Sequence, residues 1–161
     1  MLDGMSEPRF LCDAMLGSLA RWLRFLGYDC AYPPPGEDDE LLARRAREEG
    51  RWLLTRDRVL ASAGPRTVLL RSETVDDQLA EVLRRLDLAP EPDLDRARCS
   101  ACNGVLEPAA VAEVENDVPP HVARTASRFR RCAGCGRVYW PGSHGERIRR
   151  RLQAAVRAAR R

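Results

Sequence analysis

Four cysteines have the spacing of a metal site. Cys99-Ser-Ala-Cys102 and Cys132-Ala-Gly-Cys135 are two C-x2-C pairs separated by 29 residues. Each C-x2-C turn offers two thiolates from one knuckle, and two knuckles supply the four soft ligands of a tetrahedral Zn²⁺. Four thiolates close the shell, so the spacing predicts a structural zinc and not a catalytic one. Two disulfides are the alternative, but nothing in the sequence indicates export. A redox dithiol fits less well, because neither pair opens a helix after a strand. Cys12 and Cys30 stand apart in apolar runs and read as buried core thiols.

The second set is carboxylates. Asp13 ends the run Phe10-Leu11-Cys12, Asp39 opens the helix after the second strand, and Asp57 closes Leu54-Thr55-Arg56-Asp57. Each alone is explained as a helix N-cap. In a parallel sheet all three fall at the carboxyl edge, where open α/β sheets place their sites. Oxygen-only clusters of this kind suit Mg²⁺ or Mn²⁺ and support hydrolysis of phosphodiesters. Glu37-Asp38-Asp39-Glu40 puts four acids at one helix start, more than a helix dipole rewards. Arg21, Arg24, Arg56 and Arg58 read near the same edge, suited to bidentate phosphate contact, with a solvated face as the plain alternative for each. His144 reads as a structural hydrogen bond, as a substrate contact or as a residue acting beside the acids.

What is missing agrees with such chemistry. All 27 basic residues are arginine. The absence of lysine excludes a Walker-A loop, Schiff-base chemistry and Ser-x-x-Lys catalysis. Two histidines leave little for a Ser-His-Asp engine, and no GxGxxG follows a strand.

The elements that must hold these residues follow from periodicity. Strands are predicted at 9–12, 28–32, 52–55 and 67–70. Helices are predicted at 14–26, 38–49 and 75–86, the first carrying Leu16, Leu19, Leu23 and Leu26 on one face. Gly27 and Gly50 are in place as helix stops. Strands alternating with helices imply a parallel α/β sheet with right-handed crossovers. The segment 90–92 reads as a linker. Beyond it the texture turns to Cys, Gly, Pro and Arg, and Ile148, Leu152, Ala155 and Ala159 mark a basic amphipathic helix at the tail.

At 161 residues and 44% hydrophobic content the chain is an ordinary globular composition. No apolar run reaches the roughly 20 residues of a membrane span, and no secretion signal opens the chain, so a cytoplasmic location is expected. Charge is divided: residues 1–95 carry 13 Arg against 19 Asp and Glu, and residues 96–161 carry 14 against 5. An acidic metal-binding half beside a basic polyanion-binding half is the sharper reading of that split. Arg147, Arg149, Arg150, Arg151 and Arg157 of the tail would then make sequence-independent phosphate contacts with a nucleic acid.

Several stretches are specific enough to carry a resemblance. Asp13-Ala-Met-Leu-Gly-Ser-Leu-Ala-Arg-Trp-Leu-Arg-Phe-Leu-Gly-Tyr-Asp, Asp39-Glu-Leu-Leu, and Glu49-Gly-Arg-Trp-Leu-Leu-Thr-Arg-Asp57 resemble the Mut-seven C-terminal RNase-like family of PIN-like nucleases. Arg98-Cys-Ser-Ala-Cys-Asn-Gly-Val-Leu-Glu and Phe129-Arg-Arg-Cys-Ala-Gly-Cys-Gly-Arg-Val-Tyr-Trp-Pro-Gly-Ser-His144 extend it. The resemblance implies a PIN-like α/β domain, over 8–90, and a C-terminal zinc ribbon, over 96–145; the basic tail over 146–161 rests on its arginines and apolar spacing. It implies a metal-dependent endoribonuclease in which Asp13, Asp39 and Asp57 match the acidic positions, with Asp38 as a neighbour able to replace or assist Asp39. Asp76 and Asp77 are candidates for a fourth acid, with N-capping as the alternative. About eight residues precede the first strand, so the ubiquitin-like domain carried by some relatives is not expected ahead of it. Two other functions compete: an RNA-binding module without catalysis, and an adaptor that uses the ribbon to dock a protein.

Overall fold

The computed structural model describes residues 6–161. Four strands form one parallel sheet in the order β2-β1-β3-β4: β1 (Phe10–Cys12), β2 (Cys30–Ala31), β3 (Trp52–Thr55) and β4 (Thr67–Leu69). The crossovers carry α1 (Gly17–Phe25) after β1 and α2 (Asp39–Glu48) after β2, and α3 (Val75–Arg85) follows β4. Each helix expected from the sequence is present. The first departs from expectation in its opening turn, a 3₁₀ turn at Ala14–Leu16.

Both sheet faces are covered, as a parallel sheet requires. Successive side chains of a strand point to opposite faces, so β1 sends Phe10 and Cys12 one way and Leu11 the other. Phe10, Cys12 and Leu54 join a large cluster with Leu19 and Leu23 of α1 and Leu79, Val82 and Leu83 of α3. Leu11 and Leu53 join a smaller one with Leu42, Ala43 and Ala46 of α2. Gly27 ends α1 in the left-handed region at φ 93°, and a Cβ there would meet the Arg96 carbonyl at 2.9 Å. Only glycine fits both constraints.

The second part is a three-stranded antiparallel sheet, β5 (Leu106–Ala109), β6 (Phe129–Cys132) and β7 (Val138–Tyr139). Between β5 and β6 lie two short helices that periodicity did not reveal, α4 (Val111–Val114) and α5 (Pro120–Thr125). They close a small core of Val114, Val118, Val122 and Phe129. The chain ends in α6 (Ser143–Ala159), which returns to the first part. Its Ile148, Leu152, Ala155, Val156 and Ala159 belong to the large cluster with α1 and α3. No helix among the described residues is long and apolar enough to cross a membrane.

Candidate functional site

Asp13 stands directly after β1 and is buried, 5% exposed. Its two oxygens accept three hydrogen bonds: from the Met15 N–H at 2.9 Å, the Thr55 hydroxyl at 2.5 Å and the Arg56 N–H at 3.3 Å. Thr55 is fully buried at the end of β3, and its oxygen accepts the Asp57 N–H at 2.9 Å. One side chain thus ties the carboxyl ends of two neighbouring strands together. Sequence reasoning passed over Thr55. The signal available was a β-branched hydroxyl residue two positions before an acid at a strand end.

Asp57 is exposed, and its Oδ1 accepts the N–H groups of Val59 at 2.6 Å and Leu60 at 3.0 Å. Its Oδ2 has no partner among the described residues. Asp38 caps α2 through the Leu41 N–H at 2.9 Å. Asp39 and Glu40 are exposed in the first turn of α2, and Glu37 pairs with Arg45 at 3.3 Å. The capping interpretation therefore applies to Asp13, Asp38 and Asp57 alike. Among the described residues the one group of three or more metal-ligating side chains with ligand atoms within 4.8 Å of one another is a cysteine quartet. Asp13, Asp39 and Asp57 do not form such a group. Asp76 and Asp77 do not complete one either. Asp76 pairs with Arg151 at 2.6 Å, and Asp77 bonds reciprocally with Thr74 at the start of α3.

The arginines divide by environment. Arg56 and Arg58 are exposed beside Asp57 with no carboxylate partner among the described residues. Arg21 is exposed and stacks over the Phe25 ring at 5.6 Å. Arg24 corrects the expectation of a phosphate contact. It is buried, and donates to the carbonyls of Cys30 at 2.9 Å and Ser100 at 3.0 Å. A guanidinium enclosed by carbonyls holds the two parts of the molecule together and presents nothing to solvent. On α6, Arg147, Arg150 and Arg157 are exposed. Arg149 pairs with Glu146 at 2.5 Å, and Arg151 lies 4.3 Å over the Trp22 ring while paired with Asp76.

The quartet is Cys99, Cys102, Cys132 and Cys135. Its sulfurs approach to 3.6 Å between Cys99 and Cys135 and 3.4 Å between Cys102 and Cys132. The knuckles repeat one another: Cys99 N–H bonds the Gly104 carbonyl and Cys132 N–H the Arg137 carbonyl, at 2.8 and 2.9 Å. A positive φ follows each second cysteine, 69° at Asn103 and 78° at Gly136. Gly104 has no room for a side chain, since a Cβ would lie 2.5 Å from the Cys132 sulfur. Burial opposes a Cys99 thiolate, but the Tyr139 hydroxyl and the N–H groups of Ala101 and Cys102 hold that thiol down at about 6. Burial and the neighbouring Cys132 push Cys102 up to about 12. Four thiols this close cannot all ionise without a cation among them, so the donor set fits a soft divalent ion such as zinc.

The first knuckle also docks on the parallel sheet. Asn103 Oδ1 accepts the Cys30 N–H at 3.0 Å on edge strand β2, and its amide donates to Asp29 at 2.7 Å. Arg51 grips the same Asp29 with two nitrogens, at 2.7 and 3.3 Å. Cys12 and Cys30 are free thiols buried in neighbouring strands, as expected.

Comparison with known proteins agrees with this architecture. The family model of the Mut7-C RNAse domain matches residues 8–152. The chain is also similar to a human protein named exonuclease mut-7 homolog, at 36% identity over 101 residues. That match covers 59% of the chain but 12% of the human protein. No solved structure matches the chain. With a buried acid at the end of the first strand, a T-x-D turn at the end of the third and two matched cysteine knuckles, the chain belongs to the Mut7-C RNase-domain family.

Proposed function

We propose that the chain is an endoribonuclease that hydrolyses RNA phosphodiesters at the carboxyl edge of its parallel sheet, with the cysteine quartet holding a structural zinc. The observation that supports this most is Asp13, an acid buried at a strand end and fixed by three donors beside the exposed Asp57. An Mg²⁺ or Mn²⁺ ion carried by Asp13, Asp39 and Asp57 would supply Lewis-acid stabilisation of phosphate charge. Magnesium is usually held by one or two carboxylates plus substrate phosphates, so the separated acids suit an ion that arrives with the RNA. Arg56 and Arg58 are the bidentate phosphate holders of this edge. Asp57 Oδ2, without a partner among the described residues, is the oxygen with which Asp57 would reach that ion.

The test is cleavage of a circular RNA, a linear RNA and a DNA in Mn²⁺, comparing wild type with Asp13→Asn, Asp39→Asn and Asp57→Asn. Wild type should open the circle, and Asp13→Asn should slow it at least about 100-fold, the low end for loss of a positioned carboxylate. Trimming of linear ends alone would reject the endonucleolytic assignment. Equal cleavage by all four proteins would reject the site. The second reading, an RNA-binding module without catalysis, is favoured by the capping bonds of Asp13, Asp38 and Asp57, and it gains if binding persists without cleavage.

A further inference from the structure

The zinc-ribbon sheet, α1 and the start of α6 enclose a groove of about 690 Å³ that is lined by none of the acids Asp13, Asp39 and Asp57. Phe25, Phe129 and Ile148 line its apolar floor. Six arginines reach it, Arg21, Arg98, Arg128, Arg130, Arg137 and Arg149, against three acids, Asp93, Asp95 and Glu146. Internal pairing leaves the surplus positive. Arg128 pairs with Asp95 at 2.6 Å and Arg149 with Glu146 at 2.5 Å, while Arg130 is held by the Asp95 carbonyl at 2.6 Å. Arg21 and Arg137 are exposed with no carboxylate partner among the described residues.

At the wall stands Trp140, 39% exposed. The other two tryptophans, Trp22 and Trp52, pack against the large core. A flat aromatic face beside unpaired guanidiniums is the equipment of single-strand binding, where bases stack on side chains and arginines follow the backbone. A base-paired duplex hides its base faces, and an acidic peptide offers charge without flat faces. Single-stranded RNA supplies both at every residue.

We propose that this groove seats single-stranded RNA, with one base stacked on Trp140 and flanking phosphates on Arg21 and Arg137. The identity of the polymer rests on the ribonuclease reading, while the groove and its chemistry do not involve the acids of the sheet edge. Both parts of the molecule contribute walls, so the ribbon becomes half of the substrate seat.

The experiment is fluorescence anisotropy of a labelled 12-nucleotide oligouridine in buffer without Mg²⁺ or Mn²⁺, on full-length protein with zinc content and far-ultraviolet circular dichroism matched to wild type. Trp140→Ala should weaken binding about 5- to 150-fold, the range for losing one base–aromatic stack, and Trp140→Phe should keep most of it. Arg21→Ala with Arg137→Ala should lower the slope of log affinity against log salt by about 1.4, the share of two single-strand phosphates. Wild-type affinity in Trp140→Ala, equal affinity for a duplex, equal competition by polyglutamate, or no binding by wild type would each overturn the groove. Trp140-dependent binding in this buffer, with no cleavage once Mn²⁺ is added, would instead overturn the ribonuclease reading and leave the groove standing. Cleavage that survives Trp140→Ala with unchanged affinity would do the reverse.

Discussion

Asp13 and Thr55 are buried together, and the hydroxyl of one is a donor to the carboxylate of the other. Valine keeps the shape of threonine and removes that donor. A hydrogen bond to a charged group is worth about 1.5–3 kcal/mol net, so Thr55→Val should lose about that much in urea unfolding. It should also slow RNA cleavage, because Asp13 loses one of its three holds and Asp57 N–H loses its acceptor. Unchanged stability in the variant would mean that the backbone alone fixes Asp13. At this scale the sequence was legible where a residue type has few uses. Paired cysteines at fixed spacing gave the quartet in full. Arginine gave less, since the same side chain serves a phosphate, a ring or a carbonyl: Arg24, one turn from Arg21 on α1, lies inside the fold while Arg21 lies outside.

Edge strand β2 has two residues and borrows its stability from the first knuckle. An unpaired sheet edge is a liability, and here the Asn103 side chain occupies it. Burial pushes the Asp29 carboxyl up, but the bonds from Arg51 and Asn103 outweigh it and hold the group below its ordinary range. Glu49 is likewise depressed, chiefly by Arg51. A depressed carboxyl contributes stability above its unfolded value, about 3.9 for Asp, and loses it as pH falls through the folded value. Asp29→Asn should therefore melt lower than wild type at pH 6. The gap should narrow below about pH 4, followed by thermal melts across pH 3–6. A gap independent of pH would assign the loss to shape and not to charge. The helices α1, α2 and α3 were readable because their apolar faces repeat over nine to eleven residues. The short α4 and α5 were not, because four and six residues hold too few turns for a period to show.

Across the whole molecule the division of charge along the chain does not correspond to a division in space. The basic helix α6 carries Ile148, Leu152 and Val156 into the core of the acidic half. Burial of each such side chain is worth about 1.5–3 kcal/mol, against a typical total of about 5–15 kcal/mol for a domain. Deleting 146–161 should therefore abolish cooperative unfolding, read by calorimetry. Arg150→Gln with Arg157→Gln alters charge alone and should leave the melt nearly unchanged; a cooperative transition in the truncated chain would show that α6 only covers a finished core. The amphipathic pattern of this helix was visible in the sequence, but its partner was not, because periodicity tells which face is buried and not against what. Synthesis gives the arrangement a further meaning. A ribosome releases β1 well before α6, so the parallel-sheet part cannot complete its interior until α6 has emerged. A chain terminated ahead of α6 is therefore left with an open apolar face that cellular proteolysis can recognise.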